Sequence, residues 1–106
     1  MCMKKEDVLE FFRVFCLGRE NLRSGGDIAR TLQISKSELR KHINRLRRER
    51  YPIASNRQGY YYATTAWDVY TTSKRLEEVE KGIRAANSGL VQSMAYFAPN
   101  GESRNG

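Results

Sequence analysis

Apolar residues recur at helical spacing through the first part of the chain. Over residues 5–17 they return every three or four positions, the period of an amphipathic helix, until Gly18 ends the pattern. Residues 18–26 are rich in glycine and polar side chains, which predicts a loop anchored by Leu22. The stripe of the first helix is expected in the core and consists of Val8, Phe11, Phe12, Phe15 and Cys16, flanked by Leu9.

Two further helices are predicted on either side of a tight turn at residues 33–34. The first covers residues 27–32, with Ile28, Ala29 and Leu32 inward. Ser35 and Glu38 have the spacing of a capping box, so the next helix begins after Ser35, and Pro52 stops it by residue 51. Its inward face is expected to hold Leu39, Ile43, Leu46 and, more weakly, the aliphatic stem of Arg50.

Residues 52–63 change to the pattern of two short strands around a turn, where Gly59 is expected to supply an unusual backbone angle. Side chains alternate along a strand, so Tyr60, Tyr61 and Tyr62 place one face inward and one outward. Such tyrosines pack a hairpin onto a core, or stack on single-stranded bases; the packing interpretation is favoured here.

A last helix is predicted from about residue 66, capped by Thr64 or Thr65, with Trp67 and Tyr70 packing it onto the domain or marking an interface. Gly82 and Gly89 are expected to weaken, kink or end it. Its apolar positions are spaced 3, 4, 3, 4 like a coiled-coil seam: Leu76, Val79, Ile83, Ala86, Leu90 and Met94 or Phe97.

This pattern predicts a domain over residues 1–65, a C-terminal helix over residues 66–98 and a disordered tail over residues 99–106. The seam is expected to form a homodimer, with Leu76, Val79, Ile83 and Leu90 at the interface. The alternative, in which this helix folds back as an extra core helix, stays open.

Charge changes the picture, because the 106 residues carry a net charge of +7. Between residues 36 and 50 there are seven cationic side chains and two acidic ones, so most of the excess lies on one predicted helix. A basic balance of this kind favours nucleic acid first and anionic membrane second.

The outward face of that helix carries the side chains that a DNA major groove requires. Arg and Lys donate to guanine, Asn pairs with adenine, and Ser, Lys and Arg also hold phosphates. The face comprises Lys36, Ser37, Arg40, Lys41, Asn44, Arg47 and Arg48. A solvated basic helix is the competing interpretation, which the preceding turn and following hairpin disfavour.

Other chemistry finds little support in the sequence. Cys2 and Cys16 lack metal-ligand or redox spacing, and no nucleophile–base pair or phosphate-binding loop is present. No apolar run has the length of a membrane span, and the N-terminus lacks a signal peptide's apolar stretch. We therefore expect a cytoplasmic protein that is not an enzyme and has no metal or cofactor.

The run from residue 27 to residue 53, followed by Gly59-Tyr60-Tyr61, resembles the bacterial winged helix-turn-helix family, most of all the DNA-binding module of the biotin-operon repressor type. Similar short proteins occur in phages and prophages. The resemblance implies a mainly α fold with a small β-hairpin, the wing. It also implies that residues 36–48 enter the major groove and that Asn56, Arg57 and Gln58 of the wing touch the backbone or minor groove.

The resemblance covers about a third of the chain and has limits. Gln33 stands where the family's turn usually has Gly, which predicts mild strain, and Arg50 replaces the frequent Gly before Tyr-Pro. For His42 the family implies a structural or phosphate-contacting role. The ligase activity of the larger family members does not carry over, because no such domain fits here.

The sequence thus predicts a sequence-specific binder of double-stranded DNA, a phage or bacterial transcriptional regulator that acts as a homodimer. The rival functions are a phage replication or excision accessory and a winged-helix module that binds a host or phage protein.

Overall fold

The structure is a computed structural model that describes residues 3–97. Its helices are α1 (Lys5–Phe15), α2 (Gly25–Leu32), α3 (Lys36–Arg48) and α4 (Ala66–Gln92). Between α3 and α4 lie the strands β1 (Ile53–Asn56) and β2 (Gly59–Tyr62), and single 3₁₀ turns cover Arg19–Asn21 and Ser93–Tyr96. Three helices followed by a hairpin, with a long helix after them, confirm the predicted winged helix-turn-helix fold with a C-terminal helix.

The chain divides into two compact units, the first ending at Ser73 and the second beginning at Lys74. The predicted boundary at residue 65 coincides with the start of α4, and the predicted tail, residues 99–106, lies outside the described residues. Among residues 3–97, no helix is both long enough and apolar enough to span a membrane.

The core of the first unit lies where α1, α2 and α3 meet. Val8, Phe12 and Ile28 are completely buried, and Ile43 and Leu46 are nearly so. The expectation for Phe15 is wrong: its side chain is 53 % exposed, because α1 ends there and the ring packs on the rim against Phe11, with 5.2 Å between ring centroids. Cys16 follows α1 and is buried as expected.

The hairpin pairs Ile53 with Tyr62 and Asn56 with Gly59 in an antiparallel register. On its outer edge, Tyr60 exchanges two backbone hydrogen bonds with Arg23, of 2.9 and 3.1 Å. The predicted loop therefore contributes a third, strand-like element beside β2. Its close approach explains Gly59: the φ of Gly59 is not positive, contrary to expectation, but a side chain there would overlap the Arg23 carbonyl.

Both faces of the hairpin are covered. Tyr61 is buried in a small second cluster with Ala54 and Ala63, against which Leu22 packs. Tyr60 and Tyr62 are half-buried and pack against the main core. The tyrosines thus pack the wing onto the first unit, as the sequence favoured, although neither face is left to solvent.

Helix α4 begins with polar anchors instead of the aromatic ones that the sequence predicted. Thr65 caps it, since its hydroxyl oxygen accepts a hydrogen bond from the Asp68 N–H at 3.2 Å. Asp68 and Thr72 are the residues of α4 that are buried. Trp67 and Tyr70 are 64 % and 52 % exposed and stack on each other, with ring centroids 5.6 Å apart. The packing prediction for this pair is therefore wrong.

Candidate nucleic-acid interface

The turn between α2 and α3 fixes how the basic helix is presented. Gln33 ends α2 in the left-handed conformation (φ 58°, ψ 43°), as the missing glycine predicted. The Ile34 N–H donates to the Ala29 carbonyl at 3.0 Å, and Ala29 is buried between the helices. A small side chain at this position allows α2 and α3 to pack closely.

Serines cap both helices of this unit. The Glu38 N–H donates to Oγ of Ser35 at 3.0 Å, which confirms the start of α3, although among the described residues only this half of the predicted capping box is formed. The Asp27 N–H donates to Oγ of Ser24 at 3.1 Å, so α2 begins two residues earlier than predicted. The spacing of Ser24 and Asp27 was the signal that could have located this start.

Helix α3 turns an apolar side to the core and a basic side to the surface. Leu39, Ile43 and Leu46 are at most 2 % exposed and hold the helix against the core. Within residues 3–97, Lys36, Arg40, Lys41 and Arg48 form no ion pair with a carboxylate. Six of the seven predicted contact residues are exposed: Lys36, Ser37, Arg40, Lys41, Asn44 and Arg48.

The N-terminus of α2 lies beside this basic side. A Cβ placed on Gly26 would stand 3.3 Å from Cε of Lys36 and 3.7 Å from its Nζ. The backbone N–H groups at the start of α2 and the Lys36 ammonium therefore share one region of the surface. Both are groups that attract phosphate oxygens.

Arg47, the seventh predicted contact residue, has a different environment. It is half-buried, and its Nε donates to the Ile53 carbonyl at 2.9 Å. Its Nη2 donates to Oγ of Ser55 at 3.1 Å. The guanidinium therefore connects α3 to strand β1.

The tip of the wing is closed by Asn56. Its Oδ1 accepts hydrogen bonds from the backbone N–H groups of Gln58, at 2.8 Å, and Gly59, at 3.2 Å. Asn56 is half-buried, whereas Arg57 and Gln58 are exposed at the tip. The structure therefore gives Asn56 the task of shaping the turn and leaves Arg57 and Gln58 accessible.

The environments of His42 and Arg50 bear on what the family resemblance implied for these two residues. His42 is 9 % exposed and sits among the buried residues of α3, and its buried Nδ1 has no hydrogen-bond partner among residues 3–97. Arg50 has a positive φ of 75°, which accounts for the glycine that the family often places there, and the whole residue is exposed. Its stem therefore adds nothing to the core, contrary to expectation.

The described residues contain no group of three His, Cys, Asp or Glu side chains placed to hold a metal ion. Cys16 is completely buried, and burial raises the pKa of its thiol to about 11. It therefore lacks the accessible thiolate that a ligand or nucleophile needs.

The predicted seam of α4 is unburied in the single chain. Leu76 is 43 %, Val79 51 %, Ile83 64 % and Leu90 70 % exposed. Gly82 and Gly89 lie inside the helix, which does not end at either glycine but continues to Gln92. Within the part of the chain that the structure describes, a Cβ on either glycine would meet nothing closer than 4 Å.

Comparison with known proteins adds one finding. A family model described as an HTH domain, the helix-turn-helix DNA-binding domain found in biotin-repressor-type proteins, matches residues 8–61, just over half of the chain. The matched region begins in α1 and ends in β2, so it includes both helices of the turn and the wing. No curated protein and no solved structure matches the chain.

Proposed function

The chain belongs to the helix-turn-helix family of DNA-binding domains, and from this premise we propose that it reads specific sequences in double-stranded DNA as a transcriptional regulator of a bacterium or its phage. The observation that carries the proposal is the exposed side of α3, where the cationic side chains proposed to contact DNA, Lys36, Arg40, Lys41 and Arg48, have no carboxylate partner within residues 3–97. Such unpaired cations favour a polyanion.

The exposed side chains of α3 are assigned two roles, according to their position along the helix. Arg40, Lys41 and Asn44 lie in the middle of the helix and are proposed to contact base edges, since Arg and Lys donate to guanine and Asn pairs with adenine. Lys36, Ser37 and Arg48 lie nearer its ends and are proposed to hold phosphates. On the wing, Arg57 and Gln58 are the proposed contacts, with Asn56 shaping the turn that presents them.

DNA binding is tested by fluorescence anisotropy with random duplex DNA at about 50 and 200 mM salt, conditions between which phosphate-driven binding weakens strongly. The variant Arg40→Glu/Lys41→Glu is expected to lose binding. The matched control, Lys81→Glu/Arg84→Glu, makes the same charge change at exposed positions of α4 and is expected to bind far better. Equal loss of DNA binding in both variants would mean that binding depends on net charge alone, which would contradict the proposal.

Sequence specificity requires its own experiment. Selection from a random duplex pool is expected to enrich one motif with the unaltered chain. Asn44→Ala is expected to relax the preference at one adenine, with a loss of about 1–3 kcal/mol in discrimination. A pool that stays random would restrict the protein to non-specific binding.

We further propose that α4 forms a homodimer through its seam, with a second copy of the chain as the occupant. Four large apolar side chains at heptad spacing are each at least 43 % exposed. Gly82 and Gly89 flank them with open space, so a second helix could approach closely. A two-fold dimer suits the reading of paired half-sites.

The dimer is tested by sedimentation equilibrium at micromolar concentration. Ile83→Asp is expected to give monomers, because the charge falls inside the seam. Val91→Asp is the control, since Val91 is 54 % exposed and lies off the seam. A monomeric unaltered chain would refute this proposal.

One observation favours a second candidate function, the binding of a protein partner. An open groove on the first unit is lined by apolar side chains and two carboxylates: Met3, Asp7, Glu10, Phe11, Val14, Phe15 and Leu32. Val14 is 57 % exposed, and within residues 3–97 neither Asp7 nor Glu10 is in an ion pair. The matching partner is an amphipathic segment with Lys or Arg beside its apolar residues.

The two candidates are separated with a short helical probe peptide made of leucine and lysine. If the groove is a docking site, the peptide binds the chain and its Leu/Glu counterpart does not. Val14→Glu then weakens peptide binding without changing DNA binding, and Arg40→Glu/Lys41→Glu leaves peptide binding intact. The groove would be excluded as a docking site if both peptides bound equally well. It would also be excluded if the leucine/lysine peptide bound Val14→Glu as well as it binds the unaltered chain.

A further inference from the structure

One serine of β1 is held from both sides by the helices that flank it. On one side, Nη2 of Arg47 in α3 donates to Oγ of Ser55 at 3.1 Å. On the other, the Ser55 N–H donates to Oγ1 of Thr72 in α4 at 3.1 Å. The three residues, here called the Ser55 bracket, all lie within the first compact unit.

The sheet register explains why Ser55 is available for these contacts. Ser55 pairs with Tyr60, and the N–H and carbonyl of Tyr60 bond outward to Arg23. In an antiparallel ladder this is the non-hydrogen-bonded kind of pair, so the N–H and carbonyl of Ser55 also point away from the partner strand. On that free edge the Thr72 hydroxyl accepts from the N–H of Ser55, and its Oγ1 is within donating distance of two carbonyl oxygens, those of Asp68, at 2.9 Å, and Ser55, at 3.3 Å.

The position of the bracket connects it to the wing tip. Ser55 immediately precedes Asn56, whose Oδ1 closes the turn that exposes Arg57 and Gln58. Arg47 adds a second tie through the Ile53 carbonyl, at 2.9 Å. Strand β1 is thus fixed to α3 at Ile53 and at the side chain of Ser55, and its free edge is fixed to α4 at the backbone of Ser55.

We propose that Arg47 and Thr72 are positioning residues, which act on DNA through the wing by holding β1 at a set angle to α3. This rests on the proposed DNA-binding function and assigns Arg47 a role different from base or phosphate contact. Because the bracket holds the wing at a fixed angle to α3, Arg57 contacts the DNA backbone while α3 contacts the major groove. Without it, the tip loses its fixed place and its contact with the DNA backbone weakens.

The test measures DNA affinity and its salt dependence for single and combined variants. Arg57→Ala removes the tip's proposed phosphate contact and is expected to lower the salt slope by about 1. Thr72→Val and Arg47→Met are each expected to weaken binding by about two- to tenfold in the unaltered background. In the Arg57→Ala background they are expected to add little, because their effect passes through the tip.

Additivity would overturn the proposal. If Arg47→Met lowers affinity and salt slope by the same amount whether or not Arg57 is present, Arg47 contacts DNA directly. If Thr72→Val binds DNA as the unaltered chain does, the α4 side of the bracket has no positioning role. Thr72→Ser, which keeps the hydroxyl, is the matched control and is expected to behave like the unaltered chain.

A measurement without DNA separates failure of the bracket from failure of the proposed function. Amide hydrogen exchange at Gln58 and Gly59 is expected to accelerate in Thr72→Val and Arg47→Met but not in Thr72→Ser. Unchanged exchange in the two bracket variants would refute the bracket even if DNA binds. Accelerated exchange in a chain that does not bind DNA would refute the proposed function alone and leave the bracket as the support of the wing.

Discussion

The hydroxyl of Tyr61 donates a hydrogen bond to Oδ1 of Asp68 at 3.0 Å, and both side chains are buried. The other carboxylate oxygen, Oδ2, accepts from the Thr65 hydroxyl at 2.9 Å. Strand β2 and the first turn of α4 therefore meet at one shared carboxylate. Burial is the larger cause, and the hydrogen bond to Asp68 the smaller one, of a raised pKa at the Tyr61 hydroxyl. The hydroxyl therefore stays protonated and able to donate.

Tyr61→Phe is expected to lower the free energy of unfolding by about 1–3 kcal/mol, because a buried carboxylate loses a donor. The measurement is urea unfolding followed by circular dichroism. Tyr60→Phe is the matched control, since the Tyr60 hydroxyl makes no hydrogen bond within residues 3–97, and its effect is expected to be small. Equal effects of the two variants would mean that the Asp68 contact adds no stability.

Gly59→Ala is expected to destabilise the first unit by about 2 kcal/mol or more, because the new methyl group overlaps the Arg23 backbone, which must shift. Gly82→Ala, made in the Ile83→Asp variant that is expected to be monomeric, is the contrasting change: within residues 3–97 its methyl group meets nothing within 4 Å, and alanine favours a helix by about 1 kcal/mol over glycine. Thermal unfolding of the two variants is expected to shift in opposite directions. A neutral Gly59→Ala would argue against the close pairing of β2 with Arg23.

Gln33→Gly is expected to stabilise the chain by about 0.5–1 kcal/mol. Gln33 occupies the left-handed region, which costs a residue with a Cβ about 1–2 kcal/mol, and the greater freedom of glycine in the unfolded chain offsets part of the gain. Arg30→Gly, one turn earlier in the interior of α2, is expected to destabilise by about 1 kcal/mol instead. The two variants are compared by their denaturant midpoints. A loss of stability in Gln33→Gly would contradict the backbone strain assigned to Gln33.

Cys16 is expected to make stability decline at alkaline pH. Burial raises the pKa of its thiol from 9.0 to about 11. Well below pH 9 the thiol is neutral in both states, so its contribution is constant; as the pH rises through 9 towards about 11, the unfolded chain releases a proton that the folded chain retains. Unfolding becomes easier over that interval by up to about 2–3 kcal/mol.

The comparison for this prediction is Cys16→Ala, measured by urea unfolding from pH 7 to pH 11. The variant starts from a lower stability, because a buried side chain is truncated, but its stability is expected to fall less steeply above pH 9. Cys2→Ser keeps the buried thiol and is expected to retain the steep decline. Parallel curves for the unaltered chain and Cys16→Ala would show that the thiol does not cause it.

The sequence by itself determined the order of elements and the two sides of α3. Apolar residues at helical spacing select the buried side whatever the partner, so Leu39, Ile43 and Leu46 were predictable, and their spacing left the cationic side chains other than Arg47 outward. Ser35 and Gln33 were readable because capping and left-handed turns depend on neighbouring residues only. The exposed seam of α4 follows from the same periodicity.

Only the tertiary structure decided which side chains have partners distant in sequence. Arg47 looked equal to Arg40 in the sequence, and its place against β1 follows from how the hairpin packs on α3. Asp68 and Thr72, not the larger Trp67 and Tyr70, anchor α4, because the sheet edge offers polar groups that need partners. Periodicity identifies buried faces, but it does not encode the hydrogen bonds between elements, which depend on how those elements are brought together in space.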